Sequence, residues 1–323
     1  MNWFITGISG FVGHYLADFL LRQGEKVAGS YLVDREVEDS WLTEKIFPLI
    51  RLDVREKDEL VSHLGTYKYD YFVHLAAQSS VKRSFEAPEE TFAINLMGSL
   101  HLLEAIRESG QNPRIILASS ADVYGAVPPD RLPLTEAAPA FPENPYSISK
   151  YAMELLARSY AKTFGLRTVI SRAFNHTGPG QSPTFVIPDF ARQIAEIEAG
   201  VREPVLRVGN LDVERDFLDV RDVVRAYVLL ARNGIPGEVY NIASGKSYSV
   251  RWMLQKMLQM SEVPIRIEID ENKIRPVEIP VLRGDATKIT RHTGWVSEIP
   301  IEQTLWDVLQ DWRKKVKERR NRG

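Results

Sequence analysis

An apolar run, Trp3-Phe4-Ile5-Thr6, leads into Gly7-Ile8-Ser9-Gly10-Phe11-Val12-Gly13, and an amphipathic stretch follows at once. No other feature of the chain constrains its fold as tightly. The run reads as a buried strand. Phe11–Arg22 reads as a helix, with Phe11, Val12, Tyr15, Leu16, Phe19 and Leu20 on one face. Glycines at such a junction allow a tight turn, close approach of backbone to a pyrophosphate, and packing of helix on sheet. The N–H groups that open the helix, at Phe11, Val12 and Gly13, offer the positive end of a dipole to an anion. The spacing Gly7-x-x-Gly10-x-x-Gly13 departs from the G-x-G-x-x-G of dinucleotide sites, and a glycine-rich turn without a ligand is the alternative.

Further short apolar runs follow at residues 26–30, 47–52, 69–75, 114–119 and 167–171, separated by helical patterns. Strands alternating with helices imply right-handed βαβ units and a parallel sheet. The fold class expected is α/β, a Rossmann-type doubly wound sheet. The second half is more mixed. Helices are expected over 185–200, 220–232, 250–259 (capped by Ser249) and 301–317, with strands at 238–242 and 264–269.

The chain has 323 residues, enough for one large unit or two domains. Net charge is -2, which points to neither nucleic acid nor membrane as a partner. No apolar run approaches the roughly 20 residues of a membrane span, and no signal peptide is read at the N-terminus. The absence of cysteine excludes disulfides, thiolate zinc sites and cysteine nucleophiles, and fits a cytoplasmic location. The histidines lack metal-site spacing, so no metal is expected. The basic stretch 313–322 reads as a solvated helix end.

The second strand runs into Gly29-Ser30-Tyr31-Leu32-Val33-Asp34-Arg35. No acidic residue ends it to pair with a ribose 2′-hydroxyl, whereas Arg35 suits a 2′-phosphate, which favours NADP(H) over NAD(H). Asp53 is placed to accept from an adenine amino group, or to cap a turn. Leu75, Ala76 and Ala77 follow the fourth strand and let a cofactor lie against the backbone. His74 before them reads as a core residue. Tyr146 and Lys150 stand at i and i+4 and share a helix face. A phenol titrates near pH 10, and a neighbouring ammonium lowers that value toward the working range. The same lysine can hold the nicotinamide ribose. Ser120, ahead of them, can orient a substrate oxygen beside the tyrosine.

Thr6-Gly7-x-x-Gly10-x-x-Gly13, Asn95 in Asn95-Leu96-Met97-Gly98, Ser120 and the Tyr146/Lys150 pair resemble the extended short-chain dehydrogenase/reductase family almost end to end. The resemblance implies a smaller α/β domain that binds a nucleotide diphosphate-sugar. The division expected is 1–172 with 212–244 for the cofactor, and 173–211 with 245–323 for the sugar nucleotide. It adds Val54 to the cofactor residues, and Ser80, Lys82, Val186 and Asn210 to the substrate residues. Arg172-Ala173-Phe174-Asn175-His176-Thr177-Gly178-Pro179-Gly180-Gln181, the run Val208 to Val220, and Arg275-Pro276-Val277-Glu278 resemble the branch that handles GDP-mannose and its 4-keto-6-deoxy product. Arg215 and Arg275 suit a diphosphate clamp, Asn175 a phosphate or sugar oxygen, and Glu278 the nucleotide ribose. A structural Arg215–Asp216 pair and a surface Glu278 are the alternatives. Dehydratases of this branch carry a glutamate where Asp122 stands. One methylene shorter, Asp122 falls short of a sugar proton, since a general base must come within about 3 Å. The expected activity is therefore reduction of a C4 keto group on a GDP-sugar, with the dehydratase as alternative. The resemblance also implies a homodimer, paired through helices at 91–107 and 145–164.

Overall fold

The computed structural model describes residues 1–37, 40–273 and 279–322, with backbone alone at 35 and 322. The first half supplies β1 (Asn2–Thr6), β2 (Lys26–Tyr31), β3 (Leu49–Arg51), β4 (Tyr71–His74), β5 (Arg114–Ser120) and β6 (Arg167–Ala173). With an edge strand, Val239–Ile242, they make one seven-stranded sheet. Its order from that edge is β6, β5, β4, β1, β2, β3, and every pair is parallel. The chain runs outward from β1 to β3, then returns to the other side of β1 as β4. Sheets of this kind bind ligands at the carboxyl ends flanking that reversal.

Successive side chains of a strand point to opposite faces. Trp3 and Ile5 enter one core and Phe4 the other, and all three are fully buried. Helices Phe11–Arg22 and Val220–Asn233 cover the first face. Helices Lys57–Thr66, Gly98–Glu108 and Pro145–Phe164 cover the second. A sheet covered on both sides has no polar alternation, which explains the unbroken apolar run that opens the chain. A third core joins helices Val186–Glu198, Val250–Gln259 and Ile301–Arg322 over Leu206 and Val208. Short ladders accompany it. Asn175–Thr177 pairs with Phe217–Asp219, and Glu214–Arg215 lies between Tyr248–Ser249 and Val281–Leu282.

Several elements differ in extent from their sequence pattern, β3 and the last helix for reasons the packing shows. β3 spans three residues rather than six. Pro48 has no N–H for a ladder, although its carbonyl still accepts from Gly29 N at 3.0 Å. The last helix continues past 317 to Arg322. Trp312 and Val316 are buried, Arg313 grips Glu198 with two bonds of 2.7 Å, and Arg320 reaches Ala199 O at 3.0 Å. Ser249 caps its helix as expected, accepting from Trp252 N at 3.1 Å.

Gly13 lies in the first turn of helix Phe11–Arg22, where a Cβ would come 2.5 Å from Gly7 O and 2.6 Å from Ile8 O. Both are backbone atoms that cannot step aside. Gly13→Ala is expected to cost about 1–3 kcal/mol. Thermal unfolding followed by circular dichroism would register it as a lower Tm.

Candidate active site

Thr6 closes β1 with a buried hydroxyl. Its oxygen accepts the N–H groups of Leu75 and Ala76, each at 3.2 Å, and lies 2.8 Å from His74 Nδ1. With two donors already on that oxygen, Thr6 gives its own proton to Nδ1. His74 then carries its proton on Nε2, facing Ser99 Oγ at 3.1 Å. Burial drives the imidazole down to about 3, so it stays neutral. His74 is thus a packing residue that ties β1 and β4 to helix Gly98–Glu108.

This grip presses Gly7 against Ala76. A Cβ on Gly7 would fall 2.9 Å from Ala76 N, and its φ is +69°, so only glycine fits. Gly10 stands at the N-cap of helix Phe11–Arg22 and, among the described residues, no side chain caps it. The uncapped helix start leaves backbone N–H groups for a diphosphate, and the glycines let it come close. The chain therefore fits a dinucleotide here: the helix start at Phe11, Val12 and Gly13 and the backbone at Gly7 and Gly10 would meet its diphosphate, beside half-buried Leu75, Ala76 and Ala77.

The adenosine side differs from expectation. Tyr31 ends β2, yet Glu36 in the next turn accepts from Ser9 Oγ at 2.6 Å. A carboxylate thus reaches the glycine-rich turn from beyond the strand end. The Arg35 side chain lies outside the described residues. Asp53 is gripped by Arg55, with Nε at 2.9 and 3.0 Å and Nη2 at 2.5 Å, and this ion pair holds its carboxyl below the usual range. Val54 is buried, and a Cβ on Gly98 would fall 2.7 Å from its Cγ2.

Helix Pro145–Phe164 starts from a capping box. Asn144 Oδ1 accepts Ser147 N at 2.8 Å, and Ser147 Oγ accepts Asn144 N at 3.2 Å. The box fixes the first turn and with it Tyr146, whose hydroxyl hydrogen-bonds Ser120 at the end of β5. Lys150, one turn on, is buried and donates from Nζ to Ala118 O at 2.8 Å. Asn95 lies in a π-helical turn, Ala93–Met97, a device common at functional sites. Its amide bonds Gln78 N at 2.9 Å, Gln78 O at 3.0 Å and Ser149 Oγ at 2.9 Å.

One expectation does not hold. The Tyr146 phenol is pushed up, not down, first by burial and then by the charge of Asp122, with the Ser120 hydrogen bond opposing. Lys150 is itself brought down to about 8 by burial, against the pull of Glu154, and one of its three donors goes to a carbonyl. Tyr146 therefore keeps its proton at neutral pH, which is the form a proton donor needs.

The expected substrate residues are spread over separate elements. Ser80 caps helix Val81–Glu86, accepting from Arg83 N at 3.2 Å, and Lys82 is exposed on its first turn. Asn175 lies two residues beyond the end of β6, and Val186 opens its helix. Asn210 Oδ1 accepts Asp212 N at 2.9 Å, and Arg215 Nη1 donates to Glu214 O at 2.8 Å. Asp216 is fully buried and accepts from Ser244 N and Oγ at 2.8 and 2.6 Å, Gly245 N at 3.0 Å and Gly284 N at 3.2 Å. Burial raises it to about 6. Arg275 and Glu278 lie outside the described residues. Among the described residues no group of side chains could hold a metal ion, and no helix is long and apolar enough to cross a membrane.

A parallel sheet with a diphosphate cradle at its reversal point is the framework of an NAD(P)-dependent oxidoreductase of the extended short-chain dehydrogenase/reductase type. Comparisons with known proteins narrow the class. The GDP-mannose 4,6 dehydratase family matches residues 4–308. GDP-6-deoxy-D-mannose reductase of Pseudomonas aeruginosa is 38% identical over 98% of both chains. A GDP-mannose 4,6-dehydratase of Vibrio cholerae is 30% identical over 95% of this chain and 92% of its own. Among solved structures, RMD from Pseudomonas aeruginosa complexed with NADPH superposes with a TM-score of 0.86 at 37% identity, covering 97% and 99% of the two chains. The Thermus thermophilus UDP-glucose 4-epimerase complex with NAD gives 0.85 at 27% identity, with the same coverage. The chain belongs to the GDP-mannose 4,6-dehydratase family.

Glu36 escapes a search confined to the strand end, although an acid soon after the second strand was a signal available in the sequence. Its charge adjoins the glycine-rich turn and would oppose a 2′-phosphate brought beside it. Glu36→Gln is expected to lower KM for NADPH several-fold while leaving that for NADH nearly unchanged, as steady-state assays with each cofactor would read.

Proposed function

We propose that this protein reduces the C4 keto group of GDP-4-keto-6-deoxy-D-mannose to give GDP-D-rhamnose. The observation that carries the reading is Tyr146 hydrogen-bonded to Ser120, with Asp122 rather than a glutamate two residues beyond that serine. Full-length similarity to a GDP-6-deoxy-D-mannose reductase supports it. Residues 1–172 with 212–244 form the cofactor-binding part, and 173–211 with 245–323 the sugar-nucleotide part.

Bound nicotinamide supplies the hydride to C4. Tyr146 delivers its proton to O4, so ketone becomes alcohol. Ser120 orients that oxygen beside Tyr146. Lys150 leaves its carbonyl partner to hold the nicotinamide ribose, and its positive charge eases loss of the phenolic proton. Asp122 acts on Tyr146 through its charge and abstracts nothing. Asn175 and Arg215 meet the sugar nucleotide, joined by Ser80, Lys82, Val186 and Asn210. NADP(H) is favoured narrowly over NAD(H), with the charge of Glu36 working against it. Tyr31 rather than an acid ends β2, and a 37% identical relative was solved with NADPH. The protein works as a homodimer. Met97, Ile148, Leu155 and Phe164 leave 42%, 41%, 49% and 51% of their surface exposed on the two helices named for pairing. Light scattering is expected to give twice the mass of one chain.

The test is absorbance at 340 nm when GDP-4-keto-6-deoxy-mannose, made in situ, meets enzyme with NADPH or NADH. Stoichiometric loss is expected, faster with NADPH. No loss, but a 4-keto sugar formed from GDP-mannose alone, would make the protein a dehydratase instead. Tyr146→Phe is expected to cut turnover by about 10²–10⁴-fold with KM little changed.

A further inference from the structure

Behind Tyr146 and Lys150 the same helix carries another polar residue into the core. Glu154 stands one turn beyond Lys150 and two beyond Tyr146, and it is 1% exposed. A buried carboxylate is tolerated only when it is fully bonded. Arg172 of β6 supplies Nε at 3.0 and 3.1 Å and Nη2 at 2.7 Å, and Ser119 Oγ donates at 2.5 Å. Ser119 is the residue before Ser120. Arg172 also lies over the Tyr124 ring, 4.7 Å from its centre, and Tyr124 donates to Asn241 Oδ1 at 2.7 Å. Tyr124 closes the turn that carries Asp122. One carboxylate therefore ties together the helix of Tyr146 and Lys150, the strand end of Ser120, and the turn of Asp122.

Stability alone does not explain such a pair, because a buried ion pair is often no better than apolar residues of the same shape. Charge and direction are what it adds. We propose that Glu154 is a positioning residue for proton delivery: it keeps Lys150 charged and holds the Ser119–Ser120 strand end against Tyr146. The proposal rests on the reading of Ser120, Tyr146 and Lys150 given above. Lys150 is faced by Glu154 on its own helix, by neutral His74 on β4, and by the Ala118 carbonyl on β5. Arg172 on β6 stands against Glu154. Asp122 and Tyr227 act on Tyr146 from the turn and from helix Val220–Asn233. Against the burial of Lys150, Glu154 is the opposing charge.

The test is the pH dependence of kcat/KM for NAD(P)H oxidation with the 4-keto sugar nucleotide. Turnover needs Lys150 charged, so activity falls as pH rises through its apparent pKa. Without the Glu154 charge that pKa drops. In Glu154→Gln the alkaline limb is expected to move to lower pH by about one unit, with the plateau about tenfold lower. Ser119→Ala keeps the charge and should lower the plateau without moving the limb. An unmoved limb in folded Glu154→Gln overturns the proposal. Near-normal turnover in Tyr146→Phe would instead overturn the reading on which it rests. Cofactor binding, followed by tryptophan fluorescence, reports folding of each variant. If Glu154→Gln does not fold, the pair Glu154→Gln with Arg172→Met, which leaves no unpaired buried charge, carries the same test. Failure of both to fold would assign the network to stability and also overturn the proposal.

Discussion

The Thr6 hydroxyl is the point on which the rest of the site depends. It is the shared partner of two backbone N–H groups after β4 and of the His74 ring, and it draws the two central strand ends together. That closeness is what leaves no room for a side chain at Gly7. Glycine at the turn lets an anion come close to the backbone, and a helix without a side-chain cap supplies N–H groups. The anion-binding character of the site is thus a by-product of how tightly two strands are fastened.

Charge in the interior follows a second rule. Glu154, Arg172, Lys150 and Asp216 are all buried, and each is held by specific partners, although Arg172 Nη1 has no hydrogen-bond partner among the described residues. Their placement differs in purpose. Asp216 fastens two other chain segments to its own by accepting the backbone N–H groups of Ser244, Gly245 and Gly284, so it shapes loops. Glu154 sits among side chains that act on one another electrostatically. Burial makes such interactions strong because little water screens them.

Much of this was legible in the sequence, for identifiable reasons. Helix Phe11–Arg22 and helix Val250–Gln259 carry their period and boundary signals within a dozen residues. The sheet strands betray themselves as apolar runs because both faces are covered. Order and spacing alone brought Ser120, Tyr146 and Lys150 forward. What stayed hidden depends on partners far apart in the chain. Nothing local says that Thr6 will meet His74, or that Glu154 will meet Arg172. The ladders of two to four residues around Arg215 are too short to show alternation. The direction of the Tyr146 shift was missed because burial and the reach of Lys150 to Ala118 are tertiary facts.

The edge strand Val239–Ile242 is the last member of the sheet in chain order, and it completes β6 only after the whole stretch from Asn175 to Asp219 has intervened. On a ribosome that delivers the chain from its N-terminus, β6 therefore waits with one side unpaired while that stretch is made. An open strand edge is a template for mispairing. β6 is a seven-residue strand, fully buried but for its first residue in the finished protein, so it is poorly suited to waiting in water. Synthesis pauses between Ala173 and Val239 would lengthen that exposure, and yield of active protein should depend on codon choice there more than in the stretches that encode β1 to β5.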